Sequence, residues 1–303
     1  VVFTSGGTES NNLVLAQYDH VITSAIEHDS VRCAHDRCQM IAVDENGVID
    51  LDQLAATLSM IDDAVKPNTI ISVMAANNET GVLQPIDQIA EMARSSNLAF
   101  HSDMVQVFGK SHLDFTNSEI SYASFSAHKI GGPAGVGALL FRPGCRLASM
   151  LRGGGQEQGR RSGTENLIGI AGFGAAAAEA LGDIEHYDKM AAWRNDFEAR
   201  MLDERHGITV FGKSAPRLGN TSCMAATGRA AEAMVIAFDL AGVAISAGSA
   251  CSSGKVKSSH VLEAMGAGER AGEAIRISGG WATVKSDFET LADVFLQLYK
   301  QPA

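Results

Sequence analysis

Through the first half of the chain, short apolar runs alternate with helical stretches, and each run stops at polar or glycine-rich residues. Residues 1–4 are strand-like and lead into Ser5-Gly6-Gly7-Thr8, with a helix reading from Asn11 onwards. Residues 20–24 form an apolar run that ends at Glu27-His28-Asp29-Ser30, and residues 69–75 lead into Ala76-Asn77-Asn78. A further short run stops at Asp103, and residues 136–141 are brief, apolar and bounded by turn residues, as a buried strand is. Helices read from about Leu51 and over residues 86–95. Strands that alternate with helices predict an α/β class with a mostly parallel sheet and helices on both faces. Ligands of such sheets sit beyond the strands' carboxyl ends, where these polar residues fall.

The second half reads differently. Residues 167–181 form an alanine-rich helix and residues 184–205 a longer charged one, which predicts a large domain over 1–183 and a smaller α+β domain over 184–303. The smaller domain carries helices over 230–240 and 286–299. No apolar run reads as long enough to cross a membrane, and no signal peptide is visible.

Composition narrows the function. A formal charge of -11 disfavours nucleic acid as the main partner, because neutralising phosphates needs a basic face. The five cysteines are odd in number and scattered, which points to reduced thiols in the cytoplasm rather than a disulfide framework. Cys33 and Cys38 flank His35, but no second Cys/His pair completes four ligands, so no resident metal is expected.

Several stretches carry chemistry. In Ser124-Phe-Ser-Ala-His-Lys-Ile-Gly-Gly-Pro133, Lys129 stands between small polar residues and a glycine turn. Taken alone it reads as a surface lysine, whereas a lysine with its charge suppressed condenses with carbonyl compounds. Ser5-Gly6-Gly7-Thr8 between a strand and a helix can cradle a phosphate or be a plain turn. Asp103 at a strand's end needs a partner for its charge. Cys251 lies in Gly248-Ser-Ala-Cys-Ser-Ser-Gly254, where small residues suit either an accessible thiol or a structural one. Arg276 on an apolar strand suits a salt bridge or a carboxylate clamp.

The lysine stretch resembles the cofactor-lysine motif of cysteine desulfurases, in the class V aminotransferase-like branch of fold-type I enzymes dependent on pyridoxal 5'-phosphate (PLP). The cysteine loop is similar to that of the group I desulfurases. Arg152-Gly-Gly-Gly-Gln-Glu-Gln-Gly-Arg-Arg-Ser-Gly-Thr-Glu-Asn166 matches a third family signature, and the motifs occur in family order from residue 1 to about 299. Ser102, Ala134 and Gly279 depart from the usual residues. The family also carries an earlier segment, so the chain is expected to lack an N-terminal part.

The resemblance implies roles for these residues. Gly7, Thr8, Ser126 and His128 hold the PLP phosphate or its surroundings, Asp103 pairs with the pyridine nitrogen and Gln106 reaches the phenolic oxygen. His28 stacks on the ring and carries protons. Asn78 contacts cofactor and substrate, Arg276 binds the substrate carboxylate, and Thr164 reaches a partner subunit's phosphate in a homodimer with composite sites. Lys129 anchors PLP and serves as base. Cys251 takes the sulfur of L-cysteine as a persulfide, leaving L-alanine, passes it to an acceptor such as an iron–sulfur scaffold, and contacts an iron–sulfur cluster only transiently. Selenocysteine lyase, a generic aminotransferase and a PLP-binding fragment are the alternative readings.

Overall fold

The apolar runs of the first half pack side by side in one sheet. The computed structural model describes residues 1–36, 38–248 and 258–299. In chain order the elements are β1 (Val2–Thr4), α1 (Gly7–Leu15), β2 (His20–Ser24), α2 (Asp29–Arg32), β3 (Cys38–Ile41), α3 (Leu51–Ser59), β4 (Thr69–Ser72) and α4 (Ile86–Ser95). There follow β5 (Ala99–Asp103), β6 (Tyr122–Ser126), β7 (Gly137–Phe141), α5 (Leu167–Glu204), β8 (Ile208–Val210), β9 (Thr221–Ala226) and α6 (Ala231–Leu240). The last are β10 (Ser246–Ala247), α7 (His260–Ala264), β11 (Ala274–Ser278) and α8 (Lys285–Tyr299).

Contacts divide the chain into two units. The first comprises residues 1–42, 49–76 and 84–184, and the second comprises residues 43–48, 77–83 and 185–303. A single cut after residue 183 is the expectation from sequence. The two short insertions into the second unit differ from it, and one of them carries Asn78.

The first unit holds a seven-stranded sheet in the order β1-β7-β6-β5-β4-β2-β3. Strands β6, β5, β4, β2 and β3 run parallel, while β7 is antiparallel to both β6 and β1. It follows that β1 points the same way as β6, so β1, β2, β4, β5 and β6 end on one edge. Val2, Val21, Ile70, Tyr122 and Leu139 fill one side of the core together with Val14 and Leu15 of α1. Within the sheet His101 is fully buried, with Nδ1 bonded to Ser72 Oγ at 2.8 Å and Nε2 to Ser124 Oγ at 2.9 Å. Burial pushes its imidazole down to about 3, so it is a neutral tie across three strands.

Two helices depart from the sequence reading. Helix α1 begins at Gly7 rather than Asn11, because Gly6 takes φ +156°, a conformation open to glycine, and turns the chain directly into the helix. Helix α5 is one helix of 38 residues where two were expected. Gly182 weakens a helix by about 1 kcal/mol relative to alanine but does not end one, and no proline interrupts it. One 18-residue window of α5 has mean hydropathy 1.5, so by length and composition alone the helix could cross a membrane, a test that core helices of soluble proteins also pass.

The second unit is α+β. Its antiparallel sheet runs β10-β11-β9-β8 over a core of Met190, Met201, Met224, Phe238 and Phe295. Buried Glu198 accepts two hydrogen bonds from Arg217, at 2.8 and 2.7 Å, and one from Ser222 Oγ at 2.6 Å.

Candidate active site

The strand edge of the first unit collects polar side chains from segments far apart in sequence. β1 ends at Thr4, whose Oγ1 lies 2.8 Å from Ser10 Oγ of α1. Ser5 N donates to Glu9 Oε2 at 2.8 Å, and Glu9 pairs with Arg161 at 2.8 Å. Burial pulls the Glu9 carboxyl up, but the hydrogen bonds from Arg161 and Ser5 outweigh it and hold Glu9 below the usual value. The Gly6-Gly7 turn is packed closely. A Cβ on Gly7 would lie 2.8 Å from Val105 Cγ2, and one on Gly6 would lie 3.8 Å from Ser126 Oγ. Ser126, at the end of β6, is therefore beside the N-terminus of α1. Its Oγ is 2.9 Å from His128 Nδ1.

Lys129 follows in a short 3-10 helix (Ala127–Ile130) and is exposed. Burial and the neighbouring Lys129 charge both hold the His128 imidazole below its ordinary value.

Asp103, at the end of β5, is 8% exposed. Its Oδ2 accepts from Asn11 Nδ2 at 2.7 Å and its Oδ1 from Val105 N at 3.0 Å. Burial pushes this carboxyl up, opposed by those two hydrogen bonds and by the electrostatic influence of the nearby His28 ring and Lys129. The same Asn11 amide donates to Ser30 Oγ at 2.8 Å, and Ser30 Oγ lies 2.9 Å from His28 Nδ1. His28 caps α2, its Nδ1 accepting from Ser30 N at 3.1 Å. Next to it, Glu27 is fully buried and accepts from Ser24 Oγ at 2.5 Å and Met74 N at 3.0 Å. Burial pushes Glu27 up to about 8.

The structure thus brings together Gly7, Ser126 and His128, and likewise joins Asp103 to His28 through Asn11 and Ser30. Thr8 is exposed in the first turn of α1. Gln106 Oε1 accepts from Lys110 Nζ at 3.4 Å, a hydrogen bond from a neighbouring lysine. Thr164 is exposed and lines a cavity of about 120 Å³ with Thr4, Ser5 and Arg161. In the second unit, Arg276 Nη1 donates to Asn78 O at 3.2 Å, which brings the two substrate-side candidates together. Cys251 lies outside the described residues.

Sequence reasoning missed Asn11, Ser30 and Glu27. Asn11 falls on the buried face of α1 with Val14 and Leu15, and a polar residue at an apolar position was the available signal. Glu27 offered a similar one, an acid just past an apolar strand.

These residues suit PLP. A helix N-terminus entered through glycines presents backbone N–H groups beside two hydroxyls, as a phosphate requires. The buried Asp103 carboxylate gains from a cationic N–H partner, and Lys129 supplies an amine at the same strand edge. The comparisons agree. The aminotransferase class-V family profile matches residues 1–291, so the chain belongs to that family, an α/β PLP-dependent class.

Within it, the chain is similar to the cysteine desulfurases. The cysteine desulfurase of Gluconacetobacter diazotrophicus is 39% identical over 312 residues, which cover 97% of this chain and 76% of that one. The solved structure of a NifS-like protein from Rickettsia africae superposes with a TM-score of 0.89 at 34% identity, covering 99% of this chain and 81% of that one. A third, SspA in complex with cysteine, has a TM-score of 0.73 at 31% identity and covers 93% and 82%.

Proposed function

We propose that this chain converts L-cysteine to L-alanine and leaves the sulfur as a persulfide on Cys251. The observation that carries the reading is the buried Asp103 at the end of β5, within electrostatic reach of Lys129 and His28, in a chain similar to cysteine desulfurases. Gly7 and Thr8 hold the PLP phosphate at the N-terminus of α1, with Ser126 and His128 beside them. His28 would stack on the ring, Gln106 would serve its phenolic oxygen, and Asp103 would keep its nitrogen protonated.

When bound, PLP supplies an electron sink for the charge that develops at the substrate Cα. Lys129 anchors the cofactor and then takes and returns the proton at Cα. Arg276 and Asn78 orient the substrate, the former through its carboxylate. The Cys251 thiolate attacks the substrate sulfur. A sulfur–sulfur bond forms as the Cβ–S bond breaks, its electron pair stays on carbon, and a proton completes the methyl group of alanine. The transferred sulfur is oxidised from thiol to sulfane level while Cβ is reduced, so no external oxidant is needed.

The persulfide suits transfer to a protein acceptor, and the names NifS and IscS among the relatives support iron–sulfur assembly as its use. A homodimer with Thr164 reaching the partner's cofactor is part of this reading. Leu167, Ile168, Leu181, Met150 and Leu151 are about half exposed or more, apolar side chains at the surface that a second copy would cover. That surface also gives the apolar part of α5 a role in a cytoplasmic protein. Cys33, Cys38, Cys145 and Cys223 are free thiols, which agrees with a reducing compartment.

Replacing Cys251→Ser tests the reading. Sulfur release from L-cysteine is expected to fall to background while the visible absorbance of bound PLP persists. Undiminished release by the variant would remove Cys251 from the mechanism.

A further inference from the structure

The reading above assigns Asp103 and His28 to the cofactor ring but leaves unexplained what sets their orientation. One amide does both tasks. Asn11 is fully buried, and its Nδ2 group has two protons: one faces Asp103 Oδ2 at 2.7 Å, the other Ser30 Oγ at 2.8 Å. The orientation of the amide follows, since its oxygen turned towards the carboxylate would meet a second acceptor. Asn11 Oδ1 itself accepts no hydrogen bond among the described residues, so the amide is held by what it donates. A buried acceptor left in this way is unfavourable, so the two donated hydrogen bonds are what hold the amide in place.

The link continues in one direction. Ser30 Oγ, receiving from Asn11, is free to donate its own proton to His28 Nδ1 at 2.9 Å. Ser30 N also donates to that nitrogen, at 3.1 Å. With two donors directed at it, Nδ1 must be the acceptor, and the ring proton belongs on Nε2.

We infer that Asn11 and Ser30 are positioning residues that join the Asp103 carboxylate to the His28 imidazole and hold the latter as its Nε2–H tautomer. The inference rests on the cofactor roles proposed above, yet the tautomer is a property of the chain itself. Asn11 gives Asp103 a donor that favours the carboxylate against burial. Through Ser30 it removes the rotational choice of the imidazole, so the two ring contacts are set together.

The test is nuclear magnetic resonance of the PLP-bound protein carrying isotopically labelled histidine nitrogens, with the His28 signals assigned by their loss in His28→Gln. Near neutral pH, Nδ1 should resonate as an unprotonated acceptor and Nε2 as a protonated nitrogen. Asn11→Ala and Ser30→Ala should each shift the Nδ1 signal, and Asn11→Ala should also shift the visible band of bound PLP. If the two act in series, each lowers kcat about tenfold with KM little changed, and the double variant is no worse than about tenfold to twentyfold.

A proton on Nδ1 of the unsubstituted protein overturns the inference, and does so even where a variant fails to fold. An unmoved Nδ1 signal in Asn11→Ala, or losses that multiply to about a hundredfold in the double variant, overturns it too. If the tautomer and its response are found without sulfur release, the proposed reaction fails and the link stands.

Discussion

Burial decides the charge state of Glu27 and His101. Glu27 has no exposed surface and is pushed up to about 8 from an ordinary 4.5, so folding takes up a proton over that range. Its contribution is fully present below about 4.5 and is lost as pH rises through about 8. His101 acts in the opposite sense. Held down to about 3 from 6.5, it contributes stability that is present above 6.5 and is lost as pH falls towards 3. Between 6.5 and about 8 only the Glu27 term changes of these two. Stability measured by urea unfolding should therefore fall by roughly 2 kcal/mol across that window, at 1.36 kcal/mol per pH step. Glu27→Gln should flatten the profile there. A variant that keeps the full slope would show that another group produces it.

At the scale of elements, the site depends on how closely α1 is fed from β1 past β7. Gly137 of β7 leaves no room for a side chain, since a Cβ there would come 2.6 Å from Gly6 Cα and 2.6 Å from Phe125 O. Both obstacles are backbone, so neither can rotate away. Gly137→Ala is expected to cost about 1–3 kcal/mol of stability and to weaken PLP binding, because the turn it displaces is the phosphate turn. Equilibrium unfolding together with PLP titration would check this. Unchanged affinity after a clear loss of stability would separate the turn from the cofactor.

The same elements mark what could be read in advance. The strand-and-helix alternation, the stop of β5 at Asp103 and the glycine turn before α1 were legible, since each is written in neighbouring residues. The link from Asn11 to Asp103 was not, because it joins positions 92 residues apart, and spacing says nothing about which side chains meet across a sheet. The length of α5 was misread for a different reason. Gly182-Asp183 looks like a local stop, but a glycine weakens a helix by only about 1 kcal/mol relative to alanine and does not end it. The C-terminal boundary likewise did not reveal that residues 77–83 join the second unit, which takes Asn78 to Arg276.

For the whole molecule, the exposed apolar residues at the start of α5 bear on assembly. Ile168 is 87% exposed and Leu167 72%. If a second copy covers them, Ile168→Glu should convert a dimer to a monomer in light scattering and reduce activity by leaving Thr164 without its partner site. A monomer in the unsubstituted protein would contradict the composite-site reading. The central claim, however, is the reaction. Its most direct test is the visible spectrum of the purified protein with PLP, before and after L-cysteine, with alanine and sulfur quantified in the same sample. The account predicts an absorbance band of bound PLP that changes on adding cysteine, and alanine and sulfur in equal amounts. A bound cofactor with no alanine formed, or pyruvate in place of alanine, would contradict it.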